Sequence, residues 1–136
     1  MSMAHLVSNR SCGNTKHGAV IVDQDNRVIS TGFNGTPAGF DNDQLPTEKS
    51  IRYLYFCHAE ANAILFARQS LKGCTIYQTG PSCAFCWLLI CNAGIKRQVY
   101  GDTKSDCVTF DVISAQEHMA QNLKIEQIQY ENKTKI

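Results

Sequence analysis

The sequence has no block of like charge. Its 13 basic and 12 acidic residues are spread along 136 positions, and the formal net charge is +1. Such a chain lacks the positive surface that binding to long nucleic acids or anionic membranes requires. It also lacks an apolar run long enough to span a bilayer, and its N-terminus has no signal-peptide pattern. We therefore expect a cytoplasmic protein that binds small molecules, with neither nucleic acid nor membrane as a partner.

The cysteines do not form an even set. Seven are present, an odd number for a disulfide framework, and reduced thiols fit the expected compartment. Two of them, Cys83 and Cys86, stand at Cys-x-x-Cys spacing and need a separate explanation. The other five are expected to be small buried apolar residues, namely Cys12, Cys57, Cys74, Cys91 and Cys107.

No linker, internal repeat or low-complexity segment interrupts the chain, so we expect a single domain over residues 1–136. Hydrophobic pattern and turn residues predict the elements. The predicted strands cover Gly18–Val22 and residues 27–33, 74–79, 95–100 and 123–128. The predicted helices cover residues 3–10, 58–69, 83–93 and 109–121, with Ser82 as the N-cap of the third. Residues 49–56 are compatible with a helix or an irregular segment, and residues 130–136 form a polar tail.

The order of these elements indicates the fold class. The first two strands read as a hairpin, and the later strands alternate with helices. A connection of helix length between the last two strands favours a parallel pair. We therefore predict an α/β fold of three layers, in which helices cover both faces of a five-stranded mixed sheet.

Two short motifs begin consecutive predicted helices. His58-Ala59-Glu60 opens the first, and Cys83-Ala84-Phe85-Cys86 opens the second. Positions three apart share a helix face, so both sulfurs can reach one ion, and His58 supplies a third ligand. A catalytic zinc site uses three protein ligands and keeps the fourth position for water, which leaves Glu60 as an uncoordinated carboxylate. A His-x-Glu followed by Cys-x-x-Cys is the signature of the zinc deaminases of nucleobases.

The same cysteine pair has other interpretations. Cys-x-x-Cys alone also occurs in redox-active sites and in structural zinc half-sites. A structural zinc usually has four protein ligands, and the sequence offers no evident fourth partner. Glu60 also counts against a purely structural site, which has no use for an uncoordinated carboxylate. A non-catalytic zinc-binding module is the alternative from outside the enzymes.

Four stretches carry a family resemblance: GAVIV at Gly18–Val22, STGFNGTPAG at residues 30–39, HAEANAIL at residues 58–65, and CAFC with the later GIKRQVYG. In these the chain resembles the zinc-dependent cytidine and deoxycytidylate deaminases. The GFNGTP run makes it most similar to the short dCMP deaminases of phages and bacteria. The resemblance implies a cytidine-deaminase-like fold. It also implies hydrolysis of dCMP to dUMP and ammonia by a zinc-activated water, with Glu60 as proton shuttle, which supplies dUMP for thymidylate synthesis.

The resemblance implies further roles. His58, Cys83 and Cys86 match the ligands of one catalytic zinc. Substrate contacts are implied for Asn34 at the sugar, the Ala59 N–H at the base carbonyl, and the backbone around Ser82 at the exocyclic amine. Regulation by dCTP and dTTP with Mg²⁺ is common in the family, and the effector site would include Gly32, Phe33 and Gly35. The family is commonly a homohexamer, and a phage-encoded member would work in the host cytoplasm.

Two features depart from the family pattern. The family usually has proline immediately before the first cysteine, where this chain has Ser82 after Pro81. Many phage members hold a second, structural zinc in a longer insertion. The matching segment here, residues 40–57, is short, so we predict no second zinc.

Substrate choice is less constrained by the sequence than the reaction. Arg10, Lys49 and Arg52 are candidate phosphate partners. Free cytidine or deoxycytidine and a tRNA adenosine are the alternative substrates. The predicted helix at residues 109–121 argues against the nucleoside enzymes, and the near-neutral charge argues against tRNA.

Overall fold

The computed structural model describes residues 1–131, so residues 132–136 of the predicted polar tail lie outside the described part. The strands are β1 (Gly18–Val22), β2 (Val28–Phe33), β3 (Thr75–Gln78), β4 (Arg97–Tyr100) and β5 (Glu126–Gln129). The helices are α1 (Ser2–Ser8), α2 (Lys49–Arg52), α3 (Ala59–Phe66), α4 (Ala84–Asn92) and α5 (Phe110–Leu123). Every predicted strand and helix is present. Residues 49–56, for which the sequence was compatible with a helix or an irregular segment, form α2 followed by a 3-10 turn at Tyr53–Tyr55.

The five strands form one sheet in the order β2-β1-β3-β4-β5. β1 is antiparallel to both of its neighbours, whereas β3, β4 and β5 run parallel. The predicted mixed sheet with a parallel last pair is therefore confirmed. Since β2 and β3 run in the same direction, α3 and α4 both begin beyond the carboxyl edge of the sheet. In open α/β sheets, ligands bind at this edge.

Helices cover both faces of the sheet. On one face, the main core brings α3, α4 and α5 against Ala19 and Ile21 of β1 and Ile76 of β3. On the other face, Ala4 of α1 packs on Val20 and Val22. All five residues of β1 are buried as a result. No helix within residues 1–131 has both the length and the apolar character needed to cross a membrane.

Helix α3 lies unusually close to β2. A Cβ atom on Gly32 would lie 2.3 Å from the carbonyl oxygen of Ala59 and 2.5 Å from the backbone nitrogen of Ala63. The Ser30 hydroxyl donates to the Ala63 carbonyl at 2.7 Å. Only glycine allows this separation, so the missing side chain of Gly32 sets how deeply the helix is seated.

This close approach corrects two sequence predictions about α3. Helical spacing in the sequence predicts an apolar face along Ala61, Ile64, Leu65 and Arg68. This prediction is wrong, because the buried residues are Ala59, Glu60 and Ala63, and Leu65 is 70% exposed. Small residues face the sheet where no room exists for large ones. The helix also ends at Phe66, before the predicted residue 69, because Ala67 takes an extended conformation.

Two further predictions need correction. The N-cap of α4 is Cys83, not Ser82, since the Cys83 sulfur accepts from the Cys86 N–H. Cys12 and Cys107 are exposed, whereas the sequence analysis expected them to be buried. Both lie in irregular segments, where sequence periodicity gives no indication of burial.

Candidate active site

Two helix N-termini meet at the carboxyl edge of the sheet. His58 is the N-cap of α3, and Cys83 is the N-cap of α4 with Cys86 in its first turn. The Nδ1 atom of His58 lies 3.3 Å from the Cys83 sulfur and 3.4 Å from the Cys86 sulfur. The three ligand atoms all lie within 4.8 Å of one another. Non-helical backbone at both caps turns these side chains toward one point.

The donor set fits a zinc ion. One imidazole nitrogen and two sulfurs are the ligands that Zn²⁺ prefers, and three ligands leave one coordination position open. His58 and Cys83 are half-buried and line the inner end of a cleft, and Cys86 is buried beside them. The predicted metal residues are therefore brought together with the chemistry and spacing that a catalytic zinc needs.

Charges at this point are strongly coupled. Hydrogen bonding from the Cys86 thiol, with further help from His58, lowers the pKa of Cys83 to about 4. The same hydrogen bond and burial raise the pKa of Cys86. Hydrogen bonding to Cys83 raises the pKa of His58. The three side chains thus share protons through hydrogen bonds, and a metal ion must displace protons from them to bind.

Glu60 lies in the first turn of α3 and is 6% exposed. Its carboxyl belongs to the wall of the cleft that also contains His58 and Cys83. Burial raises the pKa of this carboxyl above its ordinary value. A carboxyl with a raised pKa holds a proton more readily than a free one, which suits a general acid and base.

The cleft has a volume of about 570 Å³ and two kinds of wall. The inner wall, at the helix N-termini, consists of His58, Ala59, Glu60, Pro81 and Cys83. The outer wall consists of residues from three irregular or short helical segments, within 13–17, 49–56 and 104–107. Asn34, at the end of β2, lies between the two walls.

Asn34 lies at the cleft, and its side chain also forms two structural hydrogen bonds. Its Oδ1 accepts from the His17 backbone N–H at 2.8 Å, and its Nδ2 donates to the Thr15 carbonyl at 2.9 Å. The residue therefore fixes the 13–17 segment of the outer wall. Contact with a sugar stays a prediction.

The other predicted substrate residues, Ala59 and Ser82, take different positions. Ala59 is the first residue of α3 and lines the cleft, where its N–H has no partner within the helix. Ser82 is fully buried, and its neighbours Pro81 and Cys83 form the wall in front of it. The Ser82 carbonyl accepts from the Gln116 side chain at 2.8 Å.

The predicted effector residues lie along the end of β2. Gly32 packs against α3, as described above. The Phe33 carbonyl accepts from the Asn62 side chain at 2.8 Å. Gly35 and Cys57 form an isolated β-bridge. These contacts give each residue a structural role, and effector binding stays a prediction.

The cationic residues of the cleft were only partly foreseen. Lys49 and Arg52 line it as the sequence analysis considered, whereas the Arg10 guanidinium lies over the Phe33 ring, 5.8 Å from its centroid. Lys104 and His17 also line the cleft, and sequence reasoning missed both. They lie in irregular segments, so only their residue types could have drawn attention to them.

Three comparisons relate the chain to known proteins. A family model described as the cytidine and deoxycytidylate deaminase zinc-binding region matches residues 1–102. The deoxycytidylate deaminase of Pongo abelii is 38% identical over 112 residues, which cover 76% of this chain and 63% of that protein. The deoxycytidylate deaminase of Mycobacterium phage D29 is 37% identical over 115 residues, covering 74% of this chain and 89% of the relative.

Solved structures of similar fold point to the same family. The crystal structure of dCMP deaminase from cyanophage S-TIM5 in apo form is 28% identical, with a TM-score of 0.73, and covers 95% of this chain and 92% of that one. Its complex with dCMP and dUMP gives a TM-score of 0.70 at 26% identity, with the same coverage. The chain therefore belongs to the cytidine and deoxycytidylate deaminase family.

Proposed function

We propose that the chain is a single zinc-dependent deaminase domain that hydrolyses dCMP to dUMP and ammonia. The observation that carries this proposal is a buried, uncoordinated carboxylate, Glu60, beside a His-Cys-Cys donor set in an open cleft. The cyanophage relative, crystallised with dCMP and dUMP, supports the choice of substrate. The chain spans 63% of the length of the Pongo abelii relative, so the activity is proposed from its own residues.

The metal would be held by Nδ1 of His58 and the sulfurs of Cys83 and Cys86. A zinc ion there supplies a Lewis acid that lowers the pKa of water from about 16 to roughly 7. The free N–H groups at the start of α4 favour the thiolate form of Cys83, because they carry partial positive charge. The Cys86 N–H donates to the Cys83 sulfur at 3.4 Å, which is one such contact.

Glu60 moves the protons. Its carboxylate takes a proton from the attacking water and passes it to ring N3 of the cytosine. It then takes the second water proton and gives it to the exocyclic amine. The C–N bond breaks, ammonia leaves, and the uracil carbonyl remains. Burial raises the pKa of the Glu60 carboxyl, which makes the carboxylate a stronger base for the proton that it takes from water.

Other cleft residues bind the nucleotide. The Ala59 N–H donates to the base carbonyl, and the backbone around Ser82 accepts a hydrogen bond from the exocyclic amine. Asn34 contacts the sugar. Lys49, Arg52 and Lys104 line the same cleft and supply positive charge for the monophosphate, which favours dCMP over a nucleoside.

The proposed partners follow the family. Large apolar side chains at the end of α3 and on α4 are exposed, namely Leu65, Phe66, Phe85 and Leu88. Such a patch supports assembly with further copies of the chain, with a homohexamer favoured. We also propose regulation by dCTP and dTTP with Mg²⁺ near Gly32, Phe33 and Gly35, and activity in the cytoplasm. The resemblance to regulated dCMP deaminases supports these last points.

An ammonia-release assay tests the function. Zinc-loaded protein is supplied with dCMP, deoxycytidine, CMP or tRNA, and dCTP or dTTP with Mg²⁺ is added in parallel. We expect fastest release from dCMP, at a rate that changes when dCTP or dTTP is added. Release from deoxycytidine or tRNA but not from dCMP would overturn the substrate, and no release from any of them would overturn the activity.

A further inference from the structure

Behind the inner wall lies a cluster of buried amides. Gln78, Gln98 and Gln127 come from the adjacent parallel strands β3, β4 and β5, and Gln116 comes from α5. Three of these four glutamines are at most 6% exposed. With the fully buried Ser82 they form what we call the glutamine network. Long amides are rarely placed in a core without a specific hydrogen-bonding purpose.

The bonds of the network converge on one residue. The Ser82 hydroxyl accepts from Gln78 at 2.6 Å and from Gln98 at 3.2 Å. The Ser82 carbonyl accepts from Gln116 at 2.8 Å. Further from this centre, the Gln127 side chain donates to Oε1, the side-chain amide oxygen of Gln98, at 2.9 Å. Every glutamine of the network thus donates its amide, and three of them hold Ser82 directly.

Ser82 is the residue immediately before Cys83. Because Cys83 is the N-cap of α4, its extended backbone is determined by the peptide that joins it to Ser82. That peptide carries the carbonyl that Gln116 holds. The hydrogen bonds to Ser82 therefore limit where the Cys83 sulfur can lie relative to His58.

We propose that Gln116 is a positioning residue for the metal ligand Cys83, acting through the Ser82 carbonyl, so that α5 is a functional part of the metal site. The inference rests on the proposed zinc site. The bond from Gln116 has a well-defined geometry, because breaking it would leave the buried Ser82 carbonyl without this donor. Groups that hold a metal ligand in place affect metal affinity by about 10- to 100-fold.

Zinc affinity tests this without substrate. Gln116→Met keeps the length and apolar stem of the side chain and removes the donor. We expect the zinc dissociation constant, measured by competition with a chelator, to rise about 10- to 100-fold. The thiolate-to-metal absorption of the Co²⁺-substituted protein should also shift. Gln121→Met, at an exposed position of the same helix, is the matched control and should bind zinc within about twofold of wild type.

Two comparisons keep the inference separate from general destabilisation. Gln127→Met removes a donor of the same network that does not touch Ser82, and it should leave zinc affinity and the Co²⁺ spectrum nearly unchanged. If it weakens zinc binding as much as Gln116→Met, the positioning role is refuted. Gln116→Asn, whose amide is one methylene too short, replaces the methionine variant if that variant does not fold.

The remaining outcomes are also decisive. Unchanged zinc affinity and spectrum in folded Gln116→Met or Gln116→Asn would overturn the inference while leaving the proposed function intact. A wild-type protein that binds no zinc would overturn the proposed site itself. The ratio of the zinc dissociation constants of variant and wild type therefore tests the role of Gln116. Zinc binding by the wild type tests the proposed metal site.

Discussion

The inner and outer walls of the cleft are built in opposite ways. The inner wall is formed by the first residues of two helices seated on the sheet, with Ala59 and Glu60 buried. The outer wall is formed by short and irregular segments, and the Lys49–Asp106 ion pair at 3.7 Å joins two of them through largely exposed side chains. Exposed ion pairs contribute little to stability. The proposed reaction chemistry therefore lies on the buried wall, and the proposed phosphate contacts lie on the more exposed one.

Among the variants that test this contrast between the two walls, removal of a metal ligand should have the largest effect. Cys86→Ser removes one of the two ligand sulfurs of the metal site. We expect zinc affinity to fall by more than roughly 100-fold, the loss typical when a residue that only positions a ligand is removed. Ammonia release should be lost, and the melting temperature of the zinc-loaded protein should fall. Metal analysis after dialysis measures this. Cys91→Ser, on the same helix, is the control, and equal zinc content in both variants would refute the ligand assignment.

Glu60→Gln should separate metal binding from proton transfer within the inner wall. The amide keeps the shape of the side chain but cannot carry protons. We expect kcat for dCMP to fall roughly 10²- to 10⁴-fold while zinc content is retained. Glu117→Gln, at an exposed position on α5, should keep wild-type kcat. Near-normal turnover by Glu60→Gln would contradict the proton-shuttle role.

The outer wall should respond in KM and not in kcat. Arg52 lies in the cleft, with its guanidinium over the Phe56 ring at 5.6 Å from the centroid. Loss of one charge-assisted contact to the monophosphate in Arg52→Gln should raise KM for dCMP about tenfold. Turnover of deoxycytidine, which has no phosphate, should not change. Arg68→Gln, exposed beyond the end of α3, serves as control, and an equal loss with deoxycytidine would show that Arg52 supports the fold instead.

The smallest expected effect is a pH dependence from His17. Burial, and then the charge of His58, lower the pKa of the His17 imidazole. The unfolded chain therefore binds a proton more readily than the folded one, and stability falls as pH drops through about 6.5. His17→Gln should reduce the loss in melting temperature of metal-free protein between pH 7.5 and 5.5, by about 2 °C at most. An identical loss in variant and wild type would show that His17 is not responsible.

The same division explains what the sequence could predict. His58, Glu60, Cys83 and Cys86 were recognisable because a metal site needs particular ligands at fixed spacings, and helix N-termini are marked by local pattern. The mixed sheet and its parallel last pair followed from the order and lengths of the elements. Lys104 and His17 were missed because the irregular segments that bring them to the cleft have no periodicity.

Packing accounts for the remaining errors. Helix α3 presents alanines to the sheet, although a hydrophobicity pattern favours its larger residues, because the distance to Gly32 is set by a contact between segments far apart in sequence. The cap of α4 was assigned to Ser82 because serine is a common N-cap. In the structure, Ser82 instead meets three glutamines that no local pattern could bring together.

Gly32 also affects how mutational data on this chain should be interpreted. In a saturation mutagenesis screen for activity, every substitution there should score as badly as the loss of a ligand, because even one added methyl group must displace the helix that begins beside His58. The residue has no chemistry of its own. A defective Gly32 variant would therefore be mistaken for an effector-site mutant unless zinc content is measured on the same sample.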